Sequence, residues 1–103
     1  MSGRRKQLME LLADSPNDSE LLYFLAMESV AEKDDDQAIE GFRRALNADP
    51  DHVASHLQLG QALVRQGNED EARKVYARGM EAAKKAGNHH AFSEIGGFLD
   101  TLG

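Results

Sequence analysis

The chain has two prolines, Pro16 and Pro50, and they stand 34 residues apart. A spacing of ~34 residues is the mark of a chain built from stacked copies of one supersecondary unit. Laying residues 19–52 on 53–86 gives six identities: Leu25/Leu59, Val30/Val64, Asp36/Asp70, Ala38/Ala72, Arg44/Arg78 and Ala48/Ala82. Conservative pairs fill further places, among them Ala26/Gly60, Phe42/Tyr76 and Leu46/Met80. At 103 residues the chain has room for three such units and no second domain.

The period inside each unit is helical. Leu21, Leu22, Leu25, Ala26 and Ser29 lie on one face of a helix, as do Ala38, Phe42, Ala45 and Leu46. Val53, Leu57, Leu59, Gly60, Leu63 and Val64 mark a third helix, and Ala72, Val75, Tyr76, Gly79 and Met80 a fourth. No run alternates as a strand would. Asn17 with Glu20, Asp34 with Gln37, and Asn68 with Glu71 have the spacing of a capping box, in which a side chain accepts from the free N–H groups of a helix start. Gly67 and Gly87 stand where helices end, and Lys33 holds the place of Gly67 in the first unit, which predicts a more strained turn there. Residues 4–15, with Leu8, Leu11 and Leu12, read as the second helix of an earlier unit. Residues 88–102, with Phe92, Ile95, Leu99 and Leu102, read as a helix that caps the stack.

These residues resemble the tetratricopeptide repeat, whose pattern is Trp-x2-Leu-Gly-x2-Tyr, then Ala-x3-Phe-x2-Ala, then Pro. Residues 19–52 put Leu22, Leu25, Ala26, Ser29, Ala38, Phe42, Ala45 and Pro50 in those places. Residues 53–86 put His56, Leu59, Gly60, Leu63, Ala72, Tyr76, Gly79 and Lys84 there. The small residues leave room for close helix approach, and Lys84 in place of proline lets the fourth helix run on through Lys85 and Ala86. The resemblance implies an all-α, helical-hairpin solenoid, a right-handed superhelical stack of five to six antiparallel helices forming one domain over residues 1–103.

By the same resemblance, the first helix of each pair lines a concave groove. The groove places hold Tyr23, Met27, Val30, Leu57, Gln61 and Val64, with Glu20 and Arg65 at the rim. Such an apolar strip can take an extended peptide or an amphipathic partner helix. A subclass of the family clamps C-terminal carboxylates with lysines, asparagines and an arginine. The matching places here hold Tyr23, Met27, Gln58 and Gln61, so that role is not expected. The competing expectation is that the strip is covered by the terminal helices, or that the chain self-associates as a homodimer, burying the groove or a helix edge.

Charge narrows the partner. Eighteen acids against twelve bases leave −6, and residues 14–36 alone carry −7, with eight acids and only Lys33. Nucleic-acid binders usually show a basic face instead, and Arg4-Arg5-Lys6 is too short a run to make one. The longest apolar run, Leu21–Met27, is seven residues, well below a membrane span, and Glu10 interrupts any secretory signal. A cytoplasmic location is expected. The chain has no cysteine, which excludes disulfides and thiol chemistry.

His52 and His56 have the i, i+4 spacing that can bind a metal, and His89 and His90 add two more imidazoles, but packing or surface histidines are the plainer reading. His56 is expected to pack in the tryptophan place. Ser55 lies beside them without the arrangement of a nucleophile and base. Gly96-Gly97 lacks the Lys-Ser/Thr of a phosphate loop. The expectation is a non-enzymatic adaptor without cofactor or metal, holding a protein or peptide partner, with a basic-flanked apolar peptide as the best match to its acidic surface.

Overall fold

The computed structural model describes residues 3–103; Met1 and Ser2 of the basic start lie outside the described residues. Six helices follow one another: α1 (Gly3–Asp14), α2 (Ser19–Ala31), α3 (Asp35–Ala48), α4 (Val53–Arg65), α5 (Glu69–Lys85) and α6 (His89–Thr101). No strand occurs among the described residues. Each helix packs on its neighbour in sequence, most extensively α2 on α3 and α4 on α5. Short connections between antiparallel neighbours make this order the natural one. The result is an all-α helical stack of 40 × 29 × 19 Å.

The boundaries are set by caps. Asp34, Asn68 and Asn88 accept from the N–H groups of Gln37, Glu71 and Ala91. The first of the expected caps is displaced by one residue. Asp18, not Asn17, accepts from Leu21 N at 3.1 Å, because α2 begins at Ser19 and only its immediate predecessor can reach that N–H. Glu20 is thereby free of capping. Gly67 and Gly87 close α4 and α5 at φ 80° and 70°. Lys33 adopts φ 60° in the same left-handed region, with a side chain that such a backbone disfavours. α5 runs through Lys84 and Lys85, as the missing proline allows.

One core cluster runs through the stack. It holds Ala26 of α2, Phe42 of α3, Leu59 and Leu63 of α4, Tyr76 of α5 and Ile95 of α6. A second, small cluster of Leu12, Leu22 and Ala45 ties α1 to α2 and α3. Small residues set the spacing. A Cβ on Gly60 would collide with the Tyr76 ring, and one on Gly41 would stand 2.8 Å from Ala26 Cβ. Among the described residues, no helix is long and apolar enough to cross a membrane.

Candidate functional site

Tyr23, Met27 and Val30 recur at i, i+4 and i+7 on α2, and Leu57, Gln61 and Val64 repeat them 34 residues on along α4. All six are half-buried, and the five apolar ones pack against the main core. The two helices therefore present equivalent, partly exposed strips. Tyr23 is held firmly. Its ring lies 5.9 Å from Phe42 and 5.2 Å from His52, centroid to centroid, so it bridges α2, α3 and the start of α4. Burial, and then the Glu20 carboxylate, raise its phenol above the ordinary tyrosine value, and it stays neutral.

The rim residues are engaged. Glu20 accepts from His52 Nε2 at 2.5 Å, linking α2 to the start of α4. Arg65 makes a forked pair with Asp35, through Nη2 at 2.9 Å and Nε at 3.1 Å. Much of the acidic segment is occupied in the same way. Asp18 and Asp34 cap helices, Glu28 pairs with Arg4, Glu32 with Arg5, and Asp36 accepts from Gln66. The excess of acids is thus built into the junctions between helices, and it lies around the strip rather than in it.

The histidines do structural work of two kinds. His52 is the N-cap of α4: its Nδ1 accepts from Ser55 N at 3.3 Å and from Ser55 Oγ at 2.7 Å. The Nε2–H to Glu20 fixes that tautomer. Glu20, His52 and Ser55 thus form a carboxylate–imidazole–hydroxyl chain that their sequence positions did not suggest. His52 lies outside the helix, so its ring can fold back on Ser55. Ser55 is fully buried, which closes the hydroxyl to any substrate. His56 is buried in the tryptophan place and donates from Nε2 to the Pro50 carbonyl at 2.8 Å. Desolvation lowers its pKa below the ordinary histidine value, outweighing the Pro50 carbonyl, and its Nδ1 is buried without a partner. Among the described residues, no three His, Asp or Glu side chains gather as metal ligands.

Two surfaces escaped the sequence reading. A cleft of about 660 Å³ opens between α3 and α5, floored by His56 and Leu59 of α4 and walled by Leu46, Val75 and Ala82. Arg43, Arg78 and Lys85 stand at its margin with Asp51, Glu71 and Glu81, and Lys85 closes one end through a 2.8 Å bond to Asp51. Among the described residues, the exposed large apolar side chains are Met9, Leu11, Phe24 and Phe92, on α1, α2 and α6.

Known proteins show the same architecture. The crystal structure of a tetratricopeptide repeat domain protein of Salinibacter ruber is 28% identical, with 82% of this chain and 94% of that one covered and a TM-score of 0.78. The solution structure of a Bordetella parapertussis protein is 27% identical over 99% of this chain and 89% of that one, at a TM-score of 0.83. The Yersinia enterocolitica type III secretion translocator chaperone SycD shares the fold at 17% identity, covering 95% and 68% with a TM-score of 0.87. A curated relative, the probable biofilm formation methyltransferase WspC of Pseudomonas putida, is 28% identical over 82 residues; the match takes in 80% of this chain and only 19% of that protein's length. The family profile for the tetratricopeptide repeat matches residues 29–92. With both complete helical pairs and their small-residue contacts in place, the chain belongs to the tetratricopeptide repeat family.

Proposed function

We infer that the chain is a protein–protein interaction module that holds an apolar peptide or an amphipathic partner helix against α2 and α4. The observation that carries this is the repeated strip: Tyr23, Met27 and Val30 match Leu57, Gln61 and Val64 position for position, half-buried on two consecutive first helices. Two equivalent strips side by side suit a ligand that crosses both, with side chains entering between them. Glu20 and Arg65 bound the strip, and the net charge of −6 favours basic residues on either side of the apolar segment.

The relatives support a binding role. SycD is a translocator chaperone, and WspC is matched over a fifth of its length, the extent of a module within a larger protein. The match takes in only that fraction of WspC, and no methyl-transfer chemistry is assigned to this chain. In a capture experiment on the immobilised chain, Tyr23→Ala and Leu57→Glu are each expected to lose the bound peptide while helical circular dichroism is retained. Capture undiminished in both folded variants overturns this reading.

A further inference from the structure

The cleft between α3 and α5 has a counterpart one repeat earlier. A smaller cleft, of about 410 Å³, is lined by Pro16, Asn17, Leu22, Arg44, Asn47 and Ala48. Each stands 34 residues before a residue of the larger cleft: Pro50, Asp51, His56, Arg78, Glu81 and Ala82. Stacking of repeats therefore makes this space twice, each time beside the turn that precedes a first helix. The stack does not dictate which side chains furnish it, and there the two clefts differ.

In the larger cleft a second arginine joins the first. Arg43 lies on the α3 wall and Arg78 on the α5 wall, one residue from the same level in the 34-residue register. The place of Arg43 one repeat earlier holds Met9, so the smaller cleft has Arg44 and no second cation in its lining. Among the described residues, Arg65 and Arg73 are paired with acids, whereas neither Arg43 nor Arg78 makes a hydrogen bond or an ion pair. The acids of the margin do not answer them. Asp51 is taken by Lys85. Glu71 belongs to the first turn of α5, about two turns before Arg78, where a carboxylate suits the helix start. Glu81 falls beside the stripe of Glu71, Val75, Arg78, Ala82 and Lys85 that α5 turns to the cleft at i, i+4, i+7, i+11 and i+14. Between the two guanidiniums lie Leu46, Leu59, Val75 and Ala82. The floor residue His56 is uncharged at neutral pH: burial, and to a lesser degree the Arg78 charge, hold its pKa low, and its Nε2–H is spent on the Pro50 carbonyl.

We propose that the α3–α5 cleft binds a small amphiphilic carboxylate, its head between Arg43 and Arg78 and its apolar body on Leu46, Leu59 and Val75. The forked donors of guanidinium match a carboxylate, and an apolar floor gives that head group an anchor that a bare anion lacks. The volume of about 660 Å³ is that of a small-molecule site. The bond between Lys85 and Asp51 closes one end, which favours a compact guest over a peptide running through. Glu71 and Glu81 at the margin oppose a second negative charge on the guest. The site shares neither Tyr23 nor Leu57 with the α2–α4 strip, so it stands apart from peptide binding there.

Decanoate, added below its micelle concentration to the isotope-labelled chain, is the probe. Saturable amide shifts are expected to centre on Arg43, Leu46, Val75 and Ala82. Arg43→Gln and Arg78→Gln should each weaken binding by about tenfold, the loss of one charge-assisted hydrogen bond. Both arginines are exposed, so helical circular dichroism should be retained. Arg44→Gln in the smaller cleft and Tyr23→Ala on the strip should bind decanoate as the wild type does. Decanol and decylamine, which keep the chain and change the head, should bind the wild type about tenfold more weakly or worse. Absence of saturable shifts at the cleft overturns the proposal, as do shifts centred on Tyr23 and Leu57. So does decanol or decylamine binding as tightly as decanoate, or affinity unchanged in both glutamine variants. A leucine tripeptide with a free C-terminus that binds there about tenfold tighter than decanoate would assign the cleft to chain ends, and overturns it too.

Discussion

The ring of Tyr76 fills the space that a side chain on Gly60 would occupy. That contact limits how closely α5 lies on α4, and its counterpart Ala26 lies against Gly41, where a Cβ would stand 2.8 Å from the Ala26 methyl. Gly60→Ala should therefore cost about 1–3 kcal/mol, since overpacking outweighs the gain in helix propensity. Gly96→Ala, whose only close neighbour is the mobile end of Met80, should be neutral or stabilising by up to ~1 kcal/mol. Urea unfolding in dilute solution checks both, and the two midpoints should separate in that order.

Lys33 holds a left-handed turn that Gly67 makes without strain. Lys33→Gly is expected to stabilise the fold by about 0.5–1 kcal/mol, the relief of a side chain in that region less the entropy of a more flexible unfolded chain. Thermal unfolding reads the change. A lower melting temperature would mean that the Lys33 side chain contributes more than its backbone costs.

His52 caps α4 and ties it to Glu20. His52→Ala removes both interactions and should cost about 1–2 kcal/mol, whereas His52→Asn restores a cap and should recover most of it. Glu20→Ala should cost less than about 1 kcal/mol, because the carboxylate is largely exposed. Equal losses for His52→Ala and Glu20→Ala would place the weight on the His52–Glu20 hydrogen bond instead.

The pH dependence follows from His56, whose pKa is lowered in the fold by burial. Below the ordinary histidine value of ~6.5 the unfolded chain takes up a proton that the folded chain refuses. The stability associated with neutral His56 is present above that value and is lost as pH falls toward the folded pKa. Wild-type melting temperature should fall between pH 7 and pH 5, and His56→Leu, which copies Leu22 of the first repeat, should fall less steeply. Parallel curves would assign the acid sensitivity to other groups.

The repeat, its helices and most of its caps were legible because they are local: proline spacing, small residues and 3.6-residue periodicity survive without tertiary information. The cap at α2 was misplaced by one residue because Asn17 and Asp18 are both good caps, and only the observed helix start chooses between them. The chain from Glu20 through His52 to Ser55 crosses 32 residues of sequence and depends on how α2 sits beside α4. The α3–α5 cleft is a space between elements, which no single residue marks. Phe92 and Leu11 are exposed where His56 and Ala45 are buried, a difference that depends on which helices flank each position and that periodicity alone does not mark.

In the proposed function the α2–α4 strip holds an apolar, basic-flanked peptide. The most direct measurement is a selection from a random peptide library on the wild-type chain, followed by amide chemical-shift mapping of the best binder. Enriched sequences are expected to carry an apolar core between lysines or arginines, with affinity that weakens with salt, shifts centred on Tyr23, Met27, Leu57 and Gln61, and loss of binding to Leu57→Glu. Shifts centred on the α3–α5 cleft around Arg43 and Arg78, or binding untouched by Leu57→Glu, would contradict it.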